Sequence, residues 1–290
     1  MTTTPAPPHT HEHTHHEHRH EHAKPAGPKQ VTILYVDPVA GASGDMFLGA
    51  LVDLGVDFDQ LREGLRALRV PGFELRRSAV KRHTIAATKV DVVVEDVEHP
   101  HRHLGDLLAI VDAADLPARV KERSRRVLTL LAEAESQAHN MPVEKVHLHE
   151  VGGLDCLVDV VGTCLGLELL GAEHLYSGPV ALGTGHVVCA HGRMPVPAPG
   201  TVAILKDFPV RKTTFEGEMT TPTGAALLAG LCTGVLSPLT MIPRRVGYGA
   251  GTKDKPALAN MLRLVLADTE TRLLPAGSAG TASHTHSHHH

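Results

Sequence analysis

The chain has 290 residues, with 28 Lys and Arg against 32 Asp and Glu, a formal charge of -4, and 42% hydrophobic residues that include five Phe, three Tyr and no Trp. Bases would find few aromatic platforms and no basic stripe, which argues against a nucleic-acid partner. The absence of a signal-type segment and of any bilayer-length apolar run points to a cytoplasmic protein with no membrane partner, and Cys156, Cys164, Cys189 and Cys232 lack the CxxC spacing of a structural zinc site.

Residues 9 to 22 read HTHEHTHHEHRHEH, and the C-terminus ends in His284, His286, His288, His289 and His290, so thirteen of the 23 histidines lie in two tails. These segments, 1–29 and 269–290, lack the apolar residues of a core and are expected to be disordered. Imidazole suits borderline divalent ions, so the tails read as high-capacity metal collectors. HTHSHHH at the C-terminus is interrupted like the N-terminal tract, which favours a natural tail over an expression scar. Between the tails, residues 30–268 are enough for a large globular domain.

The first ordered element is the apolar run Val31–Val36, a strand that ends in Asp37-Pro38 and opens into Gly41-Ala-Ser43-Gly44-Asp45. A helix from Met46 to Leu54 follows and stops at Gly55. A strand, small-residue loop and helix start commonly cradle an anion on free backbone N–H groups. Neither the Walker A nor the G-x-G-x-x-G pattern fits, and Asp37 and Asp45 suit a bridging cation or ligand hydroxyls better than a bare phosphate. The alternative is an ordinary strand–helix link capped near Asp45.

A second helix is expected over Asp59–Leu68, and strands over Phe73–Val80 and Lys89–Glu95. Glu98-His99-Pro100-His101-Arg102-His103 reads as linker more than as an ion path, since Pro and Arg interrupt it. A helix starts near Leu104, and the longest one runs from Pro117 to about His139 with an apolar face at Val120, Val127, Leu128, Leu131 and Ala134.

Next comes His147-Leu-His149-Glu150-Val-Gly-Gly-Leu-Asp155, with Asp159 four residues on. Histidines at i and i+2 share one side of an extended segment. Asp155 and Asp159 share one face near the start of a helix that ends at Gly171. The pattern groups metal-ligating and acid/base side chains at one corner; a surface turn with dipole-favoured acids is the alternative. Residues 177–200, rich in Gly and Pro, read as a shaped loop or short strands that deliver His186, His191 and Arg193 to a cleft, followed by a helix over Thr201–Leu205. Thr220, Thr221 and Thr223 precede a helix to Leu231, either as a second anion cradle or as simple N-caps. The glycine-rich segment Gly247–Gly251 closes the series. Strands interleaved with helices give a mixed α/β fold, with α+β as the alternative.

Six blocks carry a resemblance: GASGDM at 41–46, LAEAE at 131–135, HLHEVGGLDCLVDVVG at 147–162, HGRMPVPAPGT at 191–201, GEMTTPTGAALL at 217–228 and GYGAG at 247–251. In this order, over Val31–Leu266, they resemble the nickel insertion protein LarC family. The resemblance implies insertion of nickel into pyridinium-3,5-bisthiocarboxylic acid mononucleotide, forming the nickel-pincer cofactor of lactate racemase-type enzymes, in a lyase-class reaction. It also implies a further C-terminal domain that binds cytidine triphosphate with a divalent metal; the resemblance here ends near Leu266, so either a separate partner domain supplies that nucleotide or the protein delivers nickel without it, and a racemase-like enzyme would receive the product.

Nickel that must be held and then released suits mixed His and carboxylate donors. His147, His149 and Glu150, with His191 and His186, are the expected ligands. Asp155, Asp159 or Glu150 would take the ring proton. Asp37, Gly41, Ser43, Gly44, Asp45, Arg193, Thr220, Thr221 and Thr223 are the expected nucleotide contacts. A homo-oligomer is allowed, and the rival reading is a non-enzymatic nickel store or chaperone.

Overall fold

The computed structural model describes residues 30–95, 102–146, 148, 153–189, 192–236, 240–253 and 258–270. A seven-stranded mixed sheet carries the fold, in the order β2-β3-β10-β11-β1-β4-β9. Its strands are β1 (Gln30–Asp37), β2 (Phe73–Arg82), β3 (Ile85–Val94), β4 (Leu175–Ser177), β9 (Gly234–Val235), β10 (Ile242–Ala250) and β11 (Met261–Glu270). β1 pairs antiparallel with β11 and parallel with β4, which suits the continuous apolar run expected of a buried strand. The last strand runs to Glu270 with Thr269 buried, two residues beyond the boundary expected at 268.

Among the described residues seven α-helices accompany the sheet: α1 (Gly44–Leu54), α2 (Phe58–Leu65), α3 (Leu104–Ala113), α4 (Ala118–His139), α5 (Leu154–Leu170), α6 (Pro199–Ile204) and α7 (Pro222–Leu231). α1 and α5 end as the sequence indicates, with Gly55 and Gly171 in left-handed conformations, φ 117° and 71°. α5 is the central helix, and Leu157, Val158, Val160, Val161 and Cys164 are all fully buried. With Leu48 and Leu51 of α1, Leu128 and Leu131 of α4 and Leu227 and Leu228 of α7 they belong to one core, each such Leu contributing roughly 1.5–3 kcal/mol.

The GYGAG segment forms the end of β10, with Gly251 just past it, and α1 lies directly on its backbone: a Cβ on Gly249 would stand 1.8 Å from the Met46 carbonyl oxygen. Glycine is needed there because no side chain fits between helix and strand. A small parallel pair, β5 (Val180–Thr184) with β8 (Val210–Glu216), and a hairpin, β6 (His186–Cys189) with β7 (Gly192–Pro195), complete the described residues. The 177–200 segment therefore does form short strands, while β8, β10 and β11 are strands that the sequence alone leaves unassigned.

Candidate functional site

Three helix N-termini converge on one cleft of about 390 Å³: Ser43, Gly44 and Asp45 of α1, Asp155 and Asp159 of α5, and Thr221 and Thr223 of α7 all line it. The opposite wall comes from Lys89 and Asp91 of β3 and from Gly251, Thr252, Lys253 and Asn260, where β10 passes into β11. Helix N-termini carry partial positive charge and so favour the carboxylates they meet here. Glu218 adds a fifth lining carboxylate against the two lysines.

Asp45 holds the N-terminal corner. It accepts from the Ser43 hydroxyl, from the Met46 N–H at 2.8 Å, from Lys89 Nζ at 2.8 Å and from the Thr252 hydroxyl at 3.0 Å. Lys89 reaches Asp91 as well, at 2.5 Å, and its side chain is 6% exposed. The two carboxylates hold its ammonium above the ordinary lysine range although burial acts the other way as the largest single influence.

Asp159 has the opposite character. It keeps an edge toward the cleft, yet its Oδ1 is out of solvent contact and has no hydrogen-bond partner. Burial, then the Asp45 and Asp155 carboxylates, push it well above the usual carboxylate range, with Lys89 opposing. Its Oδ2 fills the space a Cβ on Gly44 would take, at 2.2 Å. Gly44 thus makes room for a carboxylate. Gly41, φ 92°, serves a similar end, since a Cβ there would meet the Met219 carbonyl oxygen at 1.9 Å.

The i, i+4 expectation for Asp155 and Asp159 holds, and Ser43, Gly44, Asp45, Thr221 and Thr223 join them. Several expected contacts are elsewhere. Asp37 is ion-paired with Arg263, with one bond of 2.9 Å from Nε, and does not line the cleft. Thr220 is 2% exposed and donates to the Ala181 carbonyl at 2.8 Å, a structural role. Gly41 packs rather than cradles. His186 and Arg193 lie on the β6–β7 hairpin, 3.4 Å from each other and outside the cleft, and a guanidinium beside an imidazole works against a cation there. Thr221 is the N-cap of α7, accepting from the Gly224 N–H at 3.1 Å.

His147, His149, Glu150 and His191 fall outside the described residues. Around them, Val146 and Leu148 are buried, and His103 at the start of α3 brings Nδ1 to 3.0 Å from the Val146 carbonyl oxygen. Of the 98–103 cluster, His103 therefore packs beside Val146, the residue before the HLHE motif in the chain. Among the described residues no group of three or more His, Cys, Asp or Glu is placed to hold a metal ion. Cys156 lies beside Thr223 at 3.4 Å, and burial pushes its thiol up to about 12. Sequence reading missed Lys89, Asp91, Thr252, Lys253 and Asn260. A signal existed for the first two: a lysine and an aspartate two apart inside the apolar strand KVDVVV mark a buried ion pair.

Fold and site together define a mixed α/β protein with an acidic cleft at the meeting point of three helix N-termini. The chain belongs to the nickel insertion protein family, whose model matches residues 34–287. Proteins named "Putative nickel insertion protein" are similar to it: one from Citrifermentans bemidjiense is 44% identical over 237 residues, covering 82% of this chain and 62% of its own length. Those from Myxococcus xanthus and Dictyoglomus thermophilum are 46% and 42% identical, covering 82% and 81% of this chain and 61% and 60% of their own length. The chain thus spans about three fifths of the length of these relatives. No solved structure matches. No helix among the described residues is long and apolar enough to cross a membrane.

Proposed function

We propose that this protein inserts nickel(II) into pyridinium-3,5-bisthiocarboxylic acid mononucleotide, yielding the nickel-pincer nucleotide used by lactate racemase-type enzymes. The observation that carries the reading is the unsatisfied, partly enclosed carboxyl of Asp159 beside Asp155 and Asp45 in the cleft. Nickel is the cargo: it enters through the His-rich segments and is passed to two thiocarboxylate sulfurs and one ring carbon. As the nickel–carbon bond forms, the ring C–H bond breaks and its proton needs an acceptor. A carboxylate whose environment disfavours its charge is a strong base once ionised. The arriving cation favours that ionisation. The phosphate faces the N-terminus of α7, where Thr221 and Thr223 line the cleft.

The test is to incubate purified protein with nickel and the thiolated mononucleotide, with and without cytidine triphosphate, and to weigh the product. Gain of nickel with loss of one ring proton supports the reading, and the two arms report whether cytidine triphosphate is needed. No product in either arm, from protein that still binds nickel and with the C-terminal part of a longer relative added, overturns it. The thirteen tail histidines favour a second reading, a nickel store that hands metal to a partner. Deleting the tails abolishes function in that case, whereas an insertion enzyme only performs worse at low nickel.

A further inference from the structure

The histidine tracts at residues 9–22 and 284–290 lie outside the described residues, but the structure fixes the points from which their chain leaves the fold. β1 begins at Gln30 and β11 ends at Glu270, and in the antiparallel ladder these two residues stand directly opposite each other. Residues paired in this way have Cα atoms about 5 Å apart. A domain of about 240 residues is roughly 45 Å across, so two exits placed without regard to each other would lie much further apart. His22 is eight positions before Gln30 and His284 fourteen after Glu270. At no more than about 3.6 Å per residue, His22 stays within roughly 29 Å of the shared exit and His284 within roughly 50 Å, whatever conformation the chain between them adopts. Groups confined to such a volume meet at an effective concentration on the order of a millimolar, about a thousandfold above a micromolar solution of the protein. The exit is also remote from the cleft. β1 runs its eight residues before the loop to Ser43, and β11 starts beside Asn260 and runs ten, which sets the two places about 25–30 Å apart.

We propose that the two tracts work as one chelator, holding a nickel ion between imidazoles of both at the end of the sheet opposite the cleft. The identity of the ion rests on membership of the nickel insertion family, and the joint site stands whether the protein inserts nickel or stores it. Neutral imidazole suits nickel(II), and a tetragonal ion offers about four positions. Histidines two apart are about 7 Å from each other along an extended chain, so one ion reaches about two of them before the chain has to fold around it. Wrapping a single tract further costs conformational entropy for every residue so ordered. Imidazoles of the other tract, already close by virtue of the strand register, fill the remaining positions at less cost. The tracts do not repel each other either: residues 9–22 include three Glu and one Arg, and residues 284–290 include no Lys, Arg, Asp or Glu.

The experiment is a nickel titration against a competing chelator, at neutral pH, on the full chain and on residues 23–290, 1–270 and 23–270. The last form reports the ions held by the core, which are subtracted from the others. The full chain is expected to hold one ion at least about tenfold more tightly than any tail ion of either single-tract form, so removal of either tract weakens that same ion. An equimolar mixture of the two single-tract forms contains the same histidines on separate sheets and should lack the tight ion. Binding by the full chain equal to the sum of the two single-tract forms overturns the proposal. So does a tight ion that is lost with one tract and indifferent to the other. A tight ion in the mixture, or a nickel-dependent dimer of the full chain in sedimentation, removes the shared exit as the cause and overturns it too. All four forms keep β1 and β11 whole, so the comparison does not depend on a variant's folding. A failed insertion assay, by contrast, leaves the joint site untouched.

Discussion

Replacing Asp159 with Asn should make the protein more stable and less active. In the folded state burial and the nearby carboxylates disfavour its charge, whereas in the unfolded chain it has an ordinary value near 3.8. Between those two values the folded protein binds more protons than the unfolded one, so stability falls as pH rises through that window and stays at the lower level above it. Asn cannot ionise, and its amide can donate to the carboxylates that repel Asp159. Removing an uncompensated buried group of this kind is worth about 1–3 kcal/mol. For a domain of this size that corresponds to a Tm increase of roughly 2–12 °C at pH 8, which shrinks toward zero near pH 4. Thermal melts followed by circular dichroism at pH 4, 6 and 8 measure it. If Asp159 is the proton acceptor, the same variant slows nickel insertion on the order of a hundredfold or more. An unchanged or lowered Tm at pH 8 refutes the electrostatic argument, and an unchanged insertion rate refutes the catalytic one.

Gly44→Ala places a Cβ 2.2 Å from Asp159 Oδ2 and 2.4 Å from its Cγ, so urea unfolding should show a loss of about 1–3 kcal/mol together with slower insertion. Lys89→Met leaves Asp45 and Asp91 without their counter-ion; a loss of about 3 kcal/mol is expected in the same assay, at the low end for a buried pair because Asp91 keeps solvent contact. Removing residues 1–29 and 271–290 should sharply lower the number of nickel ions bound but leave one tighter site, read by titration calorimetry; a core that binds none removes the HLHE assignment. His149→Ala in that shortened chain should weaken the remaining site about tenfold or more, and an unchanged affinity excludes His149 as a ligand.

Local rules sufficed where one segment decides its own structure. The glycine stops at Gly55 and Gly171, the capping Thr221 and the shared face of Asp155 and Asp159 all follow from spacing within a few residues. Thr220 and Asp37 went the other way. Each has the residue type of a binding group, yet Thr220 turns to the Ala181 carbonyl and Asp37 to Arg263, partners 39 and 226 positions away in the chain. His186 and Arg193 meet across a hairpin that leaves them outside the cleft, since the β6–β7 register sets them together at its surface.

The sequence by itself determined the α/β class, the family and the short motifs, because periodicity, capping and block order are local properties that survive without knowledge of packing. Only the tertiary structure decided that the glycines of GASGDM and GYGAG are contact points. Gly44 admits Asp159, and Gly249 admits the backbone of α1. It also decided which polar groups share the cleft, bringing Lys89 from the edge hairpin and Asn260 from just before the last strand to the starts of α1, α5 and α7. The reason is physical: a side chain's burial, pKa and hydrogen-bond partners depend on groups that are close in space and distant along the chain.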